Sequence, residues 1–300
     1  MAASAVDSSD YDPSTYWIAP ARNFRTSARL HLQHHLFQNT IGHLLEPHVA
    51  SAVAEAKELR VADLGCGNGV WLSDLDSALS EKGVSAQLDG YDVNTVNFPA
   101  PAFLPEKVTL KKLDILARPL PEELIGAYDI VHARALVSIS ASSVVPPLLS
   151  TALALLKPGG WLQWEESRAD TYVIEAPTSP EVSTSALNTI VRILQAGGKA
   201  RGMTFEFLGE LDRHLKEHGF EDVHAQAAET RKRDRKAWTE DYLMVWEELA
   251  VHFPLKAAAP QAPMTRESWV DLFSKAVEET EQGAVVHQGK IVTVVGRKAK

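Results

Sequence analysis

The sequence predicts an α/β fold with a parallel central sheet. Five short runs with the composition of strands are separated by stretches with helical periodicity. Parallel strands need crossover connections, and the intervening helices supply them. The chain has 300 residues, 45% of them hydrophobic, which is enough for one large core or two smaller ones. The five predicted strands are Leu59–Leu64, Gln87–Tyr91, Val108–Lys112, Tyr128–His132 and Trp161–Glu165.

An amphipathic helix is predicted ahead of the sheet, over residues 28–45. Thr26 and Ser27 are good N-cap residues, and the apolar face that follows has helical spacing through Leu30, His34, Phe37, Ile41 and Leu44. Residues 1–17 lack the cationic start and the apolar block of a secretory signal, so we expect a frayed tail there. We therefore expect a tail and helical cap over residues 1–54 and one domain over residues 55–300.

The second half of the chain adds helices to this plan. A helix before Trp161 is marked by Pro146 or Pro147 in its first turn and by the Lys-Pro-Gly-Gly run at 157–160. We then expect helices over residues 205–218, 238–252 and 266–281, and strands over 220–225 and 290–295. The insertions near 167–204 and 237–288 are candidates for a lid over the ligand edge of the sheet.

Charge and cysteine content restrict the class of partner. With 30 basic and 39 acidic residues the net charge is −9, so no positive field favours nucleic acid or an acidic membrane. The single cysteine, Cys66, excludes an intramolecular disulfide and favours a reducing, cytoplasmic location. The uncharged stretch 135–156 is long enough to span a bilayer, but serines and a Pro-Pro pair interrupt it, which favours a loop and a buried helix.

The strongest chemical signal is the glycine-rich turn after the first predicted strand. The turn includes Asp63, Gly65, Cys66, Gly67, Asn68 and Gly69. Such a turn brings backbone against a ligand. A dinucleotide fingerprint would have its third glycine one position later, where Val70 stands, so NAD is disfavoured. The pattern suits a ligand with an adenosine and a charged amino acid, whose ammonium group Asp63 would meet directly or through water.

Two further acids follow predicted strands. Asp92, followed by Val93, stands 23 residues after Gly69, where a ribose-binding acid belongs, because a carboxylate accepts both protons of a cis-diol. Asp114 and Ile115 follow the third strand and would supply an acceptor for the adenine amino group and an apolar face for its ring. The alternative for Asp114 is a capping or solvated loop residue.

Together these motifs resemble the class I S-adenosylmethionine-dependent methyltransferases. The resemblance also covers residues 128–134 and 155–162, and so about half of the chain. It implies S-adenosylmethionine as cofactor and a Rossmann-like seven-stranded sheet in the order 3-2-1-4-5-7-6, with the last strand antiparallel. Residues 16–17, 27–34, 131–134 and 162–166 are similar to fungal natural-product methyltransferases, including N-methyltransferases of epipolythiodioxopiperazine pathways.

Candidate catalytic groups lie at the ends of the fourth and fifth strands. His132 is the best-placed base; the alternative is a histidine that shapes the cofactor pocket. Arg134 would orient an acid or hold an anionic substrate, unless it forms a structural ion pair. Strand alternation sends Glu165 and Glu166 to opposite faces, and Glu165 is the preferred candidate.

The first helix carries two candidate cofactor residues and a histidine cluster. Arg29 and Gln33 would close over the methionine end of the cofactor, with a surface salt bridge as the alternative for Arg29. His31, His34 and His35 have a spacing that can hold a metal, but no fourth ligand suggests itself, so no metal is expected.

The function implied is methylation of a small-molecule natural-product intermediate on N or O. One alternative is a regulator of secondary metabolism on the same fold, for which the basic run 231–236 would be a nuclear address rather than a solvated link. Another is a cofactor-binding pericyclase that transfers no methyl group. Trp238, Trp246 and Trp269 would line an aromatic substrate pocket or fill the core of the insertion. The acceptor and the oligomeric state stay open.

Overall fold

A computed structural model describes residues 24–136, 145–178, 181–200, 202 and 205–300, and it contains the predicted sheet. Seven strands are arranged in the order β3-β2-β1-β4-β5-β9-β7. β9 runs antiparallel to both of its neighbours, β5 and β7, whereas the pairs from β3 to β5 are parallel. The strands are β1 Glu58–Leu64, β2 Ser85–Asp92, β3 Val108–Lys112, β4 Tyr128–Arg134, β5 Leu156–Ser167, β7 Phe220–Glu229 and β9 Lys290–Lys298.

This arrangement confirms the predicted strand order and the antiparallel last strand. The numbering differs because two short strands, β6 (Val173–Glu175) and β8 (Val285–His287), lie between the predicted ones in the chain and pair with each other outside the main sheet. Three residues are too few for an alternation signal, so the sequence did not predict this pair. The last two strands are also longer than predicted.

Helices cover both faces of the sheet and form a third cluster at its edge. They are α1 Phe24–Ile41, α2 Pro47–Ala52, α3 Val70–Glu81, α4 Val145–Leu155, α5 Ser185–Ala200, α6 Leu211–Glu217, α7 Arg235–Glu248 and α8 Arg266–Glu281. Apolar residues of α2 and α3 pack on one face, and those of α4 and α6 pack on the other. Alternation within β1 explains this, because Val61 contributes to the first core and Ala62 and Leu64 to the second.

The third cluster joins the amino-terminal helix to the inserted helices. Phe37 of α1 is buried against Trp238 of α7, with ring centroids 5.6 Å apart. Buried residues of α5 and α8 belong to the same cluster, including Trp269. The helices that flank the ligand edge of the sheet therefore share one apolar core, which we call the lid cluster.

Several boundaries differ from the prediction. The helix predicted over residues 28–45 ends at Ile41, because Gly42 adopts φ +82°, and α2 follows as a separate helix. The region predicted as one helix over 205–218 is a short 3-10 turn, Glu206–Gly209, followed by α6. α5 lies where the sequence pattern was too loose to place an element.

The predicted tail, the Tyr16-Trp17 part of the resemblance and residues 137–144 of the uncharged stretch lie outside the described residues. Within the part of the chain that the structure describes, no helix is long and apolar enough to cross a membrane.

Gly90 of β2 and Gly197 of α5 provide a matched test of the packing. A Cβ atom on Gly90 would lie 2.5 Å from Leu110 Cδ2 and 2.9 Å from both Cys66 Sγ and Leu72 Cδ1. Gly90→Ala should therefore lower the free energy of unfolding by about 1–3 kcal/mol through overpacking. Gly197 has open space around it, and Gly197→Ala should stabilise the protein by about 0.5–1 kcal/mol through helix propensity. Urea denaturation measures both changes, and equal effects would contradict this view of the core.

Candidate functional site

A cavity of about 370 Å³ lies beyond the carboxyl ends of β1, β2 and β4. Its floor is the glycine-rich turn between β1 and α3 together with the ends of the three strands. Its other walls come from α1, α5 and α7 and from the segments after β5 and α7. Ligands of open α/β sheets bind at this edge. The cavity therefore lies where the fold places a functional site, between the sheet and the lid cluster.

The glycine-rich turn fits closely beneath the cavity. Gly65, Gly67 and Gly69 have φ angles of +71°, +59° and +74°, a region that side chains disfavour. A Cβ atom on Gly67 would lie 2.9 Å from Leu30 Cδ1 of α1. Gly65, Cys66, Gly67 and Asn68 line the cavity, whereas Gly69 caps α3 in the left-handed conformation and does not. The turn thus presents bare backbone to the cavity.

Asp92 fixes this turn from the neighbouring strand. Its Oδ2 accepts a hydrogen bond from the Gly67 amide at 3.0 Å, and its Oδ1 accepts one from the Asn94 amide at 2.9 Å. The residue is buried and lines the cavity together with Val93 and Ile115. The structure thus brings an acid and an apolar platform together at the end of the cavity beside β2 and β3.

Asp114 lies at the end of β3, but it does not line the cavity. Its Oδ1 accepts a hydrogen bond from the Leu116 amide at 2.9 Å, and its carbonyl accepts one from the Ala117 amide at 3.2 Å. These are the bonds of a turn-capping aspartate, the alternative reading of this residue in the sequence.

A chain of buried polar contacts crosses the floor of the cavity. The Nδ1 atom of His132 lies 2.7 Å from Asp63 Oδ1, and its Nε2 atom lies 3.5 Å from Glu165 Oε2. Arg134 donates from Nε to the same Glu165 oxygen at 2.6 Å. The ring of His132 also stacks on that of Trp71, with centroids 3.6 Å apart. The Nδ1 atom of His132 is thus paired with Asp63, whereas its buried Nε2 atom faces Glu165 without a hydrogen bond among the described residues.

The charged groups in this series of contacts shift the pKa values of one another. Burial would lower the pKa of His132, but the carboxylates of Asp63 and Glu165 outweigh it and raise the pKa above its usual value. Burial would raise the pKa of Glu165, but Arg134 and His132 lower it to about 2. Glu165 is fully buried and does not line the cavity, whereas His132 and Arg134 do. Glu165 therefore acts on the site only through these two neighbours.

His34 extends the chain to α1. Its Nδ1 accepts a hydrogen bond from Arg134 Nη1 at 3.0 Å, so the proton lies on Nε2, which donates to Asp74 at 2.9 Å. Burial, with Arg134 as the second cause, lowers the pKa of His34 to about 4. The neutral ring fits this place because it is the acceptor for a guanidinium.

Arg29 and Gln33 line the cavity one helical turn apart on α1, and both face Asp241 of α7. Arg29 Nη1 lies 3.8 Å from Asp241 Oδ1, and Gln33 Nε2 donates to Asp241 Oδ2 at 3.4 Å. The guanidinium of Arg29 is almost wholly buried, so this contact is not the surface salt bridge that the sequence left as an alternative. The sequence did not single out Asp241, since a lone acid in a helix carries no motif.

The half of the cavity under the lid is aromatic and was largely missed from the sequence. Of the three tryptophans considered, Trp246 lines the cavity, whereas Trp238 and Trp269 are buried in the lid cluster. The additional aromatic lining comes from Tyr172, Phe205, Tyr242 and Phe253. Of these four residues only Tyr242 lies in a helix, and its spacing to Trp246 is also that of ordinary core residues. The other three lie in connecting segments, where no periodic pattern marks a cavity residue.

The histidine cluster of α1 and the basic run 231–236 were also candidates for function. His31 and His35 are exposed on α1 while His34 is buried, and the described residues contain no group of three His, Cys, Asp or Glu side chains that could hold a metal. In the basic run, Arg231 pairs with Asp234, Arg235 with Glu175 and Lys236 with Glu240.

Comparison with known proteins identifies the family to which this sequence is similar. A family profile described as a methyltransferase domain matches residues 32–225, about two thirds of the chain. The matched region contains the glycine-rich turn, Asp92, and the contacts around His132 and Glu165. It extends from α1 into β7 and stops before α7 and α8.

Individual relatives are similar over part of their length. The chain is 34% identical over 184 residues to the methyltransferase grgD of Penicillium sp, which is 60% of each chain. It is 33% identical over 147 residues to the N-methyltransferase tcpN of Claviceps purpurea, which is 49% of this chain and 50% of tcpN. The chain thus spans between half and two thirds of the length of these relatives.

A solved structure of Haemonchus contortus phosphoethanolamine N-methyltransferase 2 with S-adenosylmethionine has a TM-score of 0.45 and 16% identity to this chain. The likeness covers 85% of this chain and 53% of that one.

The contact between His34 and Arg134 predicts a pH dependence of stability. A folded-state pKa of about 4 lies below the ordinary value of 6.5, so the unfolded chain binds a proton first as pH falls. Stability linked to His34 is complete above about pH 6.5 and declines towards pH 4. Between pH 7.5 and pH 5 we expect the wild type to lose about 2 kcal/mol more than His34→Gln.

Urea denaturation at the two pH values measures the difference. His35→Gln, on the exposed side of the same helix, is the control and should keep the wild-type pH dependence. A His34→Gln variant with an unchanged pH dependence would contradict the assignment of a neutral, buried imidazole.

Proposed function

This chain belongs to the methyltransferase domain family, and we propose that it transfers a methyl group from S-adenosylmethionine to a small molecule bound under α5 and α7. The observation that carries the proposal is the division of a single cavity. One half is formed by the glycine-rich turn and Asp92, and the other half by aromatic residues of the lid. A cofactor and an acceptor would thus meet in one enclosed space.

The residues in the first half fit the cofactor. Asp92 would accept hydrogen bonds from the ribose hydroxyls, since its carboxylate lines the cavity and offers further lone pairs. Val93 and Ile115 would pack against the adenine. At the other end, Asp63 would meet the ammonium group, and Arg29 with Gln33 would meet the carboxylate. Asp114, which caps its own turn, is left out of this set.

The cofactor, when bound, supplies a methyl group on a sulfonium centre. Transfer of that group is an in-line displacement, for which alignment is the main demand. The chain Asp63–His132–Glu165–Arg134 would keep the cavity floor rigid and orient the methionine end. His132 and Arg134 would thus be positioning residues, with Glu165 acting through both. A base role for His132 is the alternative, and it would have to use Nε2, because Nδ1 is paired with Asp63.

The acceptor is proposed to be a small natural-product intermediate. The size of the cavity and its aromatic lid support this class, and the similarity to grgD and tcpN supports a fungal biosynthetic setting. N-methylation is preferred over O-methylation because tcpN is named an N-methyltransferase. A cytoplasmic location is consistent with the single, buried cysteine.

Calorimetry with purified protein tests the proposal. S-Adenosylmethionine and S-adenosylhomocysteine should bind with micromolar affinity and NAD should not, because the glycine pattern does not suit a dinucleotide. Release of S-adenosylhomocysteine in the presence of small aromatic acceptors then tests transfer. Binding of NAD, or of none of the three ligands, would refute the proposal.

Asp92 and Asp114 form a matched pair of strand-end acids. Asp92→Asn should weaken cofactor binding by about 1.5–3 kcal/mol, the range for hydrogen bonds to a charged group. Asp114→Asn should leave the affinity unchanged, because this side chain does not line the cavity. Calorimetric titration with S-adenosylhomocysteine measures both variants. Equal losses would mean that the acids act through the fold rather than through the ligand.

His132 provides a separate test of the positioning role. His132→Ala removes the stacking on Trp71 and the bond to Asp63, so we expect S-adenosylhomocysteine to bind about tenfold more weakly. A variant with wild-type affinity and lost turnover would instead restore the base role. Thermal unfolding of the variant checks that the loss is not a loss of folding.

A further inference from the structure

Asp241 carries a buried oxygen atom without a hydrogen-bond donor among the described residues. The residue is fully buried on α7 and lines the cavity. Its Oδ1 has no hydrogen-bond partner, and the nearest cation, Arg29 Nη1, lies 3.8 Å away. A buried carboxylate oxygen that lacks a donor costs folding free energy. Such an atom, in a residue that lines a cavity, indicates a ligand that supplies the missing donor.

The walls beside Asp241 restrict the shape of that ligand. Tyr242 lies next to it on α7, and Trp246 follows one turn later, with ring centroids 6.4 Å apart and planes inclined by 21°. The ring of Tyr172 approaches Tyr242 edge-on at 6.1 Å. All three rings line the cavity. They add flat apolar surfaces to the cavity that Asp241 also lines, an arrangement that suits an aromatic or other flat skeleton with a donor group.

The charge of the donor follows from Arg29. This guanidinium already lies within ion-pair distance of Asp241, so a cationic amine beside the same carboxylate would be repelled. A neutral N–H or O–H group meets no such repulsion, and it donates one hydrogen bond to Oδ1. Hydrogen bonds to a charged acceptor are stronger than those between neutral groups.

We propose that Asp241 binds the methyl acceptor through a neutral N–H or O–H group on the atom to be methylated, and that it receives the proton of this group. This inference rests on the proposed function. In the balanced step, the acceptor atom forms a bond to the methyl carbon and loses its bond to hydrogen. The proton passes to Asp241 Oδ1, and the electron pair of the broken carbon–sulfur bond stays on the thioether that leaves.

The ionisation of Asp241 agrees with this role. Burial raises the pKa of Asp241 to about 6, although Arg29 and Gln33 lower it in part. Asp241 is therefore ionised at neutral pH, and it takes up a proton more readily than an exposed carboxylate does.

Matched probe pairs test the inference without knowledge of the natural acceptor. The full chain is titrated with indole and 1-methylindole, and with phenol and anisole, by ligand-observed NMR. Each pair differs only in whether the donor hydrogen is replaced by methyl, so the two pairs separate N–H from O–H recognition. Benzylammonium serves as the cationic probe. Every titration is made with and without saturating S-adenosylhomocysteine.

For the wild type we expect indole or phenol to bind about tenfold more tightly than its methylated partner, and benzylammonium to bind more weakly than either. Asp241→Asn should reduce that ratio to about two and Asp241→Leu to about one, since the first retains a neutral acceptor and the second has none. Glu240→Gln, at the exposed neighbouring position that pairs with Lys236, is the control and should keep the wild-type ratio.

Other outcomes would overturn the inference. One is that the wild type binds both members of each probe pair equally well, or binds neither up to the solubility limit. Another is that Asp241→Asn leaves unchanged the affinity ratio between a probe and its methylated partner. Tight binding of benzylammonium that depends on Asp241 would mean that Asp241 recognises a cationic group and not a neutral donor. If Asp241→Asn weakens S-adenosylhomocysteine as much as it weakens indole, Asp241 belongs to the cofactor half.

Failure of the proposed function has a different signature. If S-adenosylhomocysteine does not bind to the wild type, the proposed function is wrong. The affinity ratios of the probe pairs measured without S-adenosylhomocysteine then still decide whether Asp241 binds a neutral donor.

Discussion

The structure of the site depends on the buried carboxylate of Glu165. A fully buried charge is costly unless it is paired, and Glu165 is paired with Arg134 on one side and faces His132 on the other. Its partners come from β4, the strand next to it. Because each partner has a second contact, with Asp63 or His34, a single carboxylate orders side chains from β1 to α1. Removing it would leave the buried guanidinium of Arg134 without its carboxylate partner at the bottom of the cavity.

This network explains why the amino-terminal helix belongs to the site. α1 contacts the sheet through His34 and contacts α7 through Arg29 and Gln33. Phe37 joins the same helix to the lid cluster, beneath the guanidinium of Arg134 at 5.2 Å. Helix α1 thus closes one side of the cavity and connects the glycine-rich turn to the aromatic residues under the lid. The residues of α1 that line the cavity therefore make this helix part of the cavity wall.

The parts of the fold that were predictable are those determined by local chemistry. Strand positions follow from apolar runs, and the glycine-rich turn follows from φ angles that only glycine adopts without strain. Asp92 and Asp114 show the limit of this reasoning. Both follow a strand, but one lines the cavity and the other caps a turn, and the difference lies in how the chain continues after the strand. Strand alternation predicted that Glu165 and Glu166 lie on opposite faces of the sheet. It did not predict that Arg134 forms an ion pair with Glu165.

The aromatic half of the cavity under the lid was not predictable for a different physical reason. A cofactor shared by a whole family is bound by backbone turns, which need particular residues at particular spacings. An acceptor is bound by side chains on inserted helices, where tyrosine or tryptophan at helical spacing serves equally well as core. Asp241 differs from those neighbours only through its tertiary surroundings, which bury it opposite Arg29 and leave one oxygen without a hydrogen-bond donor among the described residues. The residue with most to say about substrate class is therefore the one that a sequence pattern identifies least.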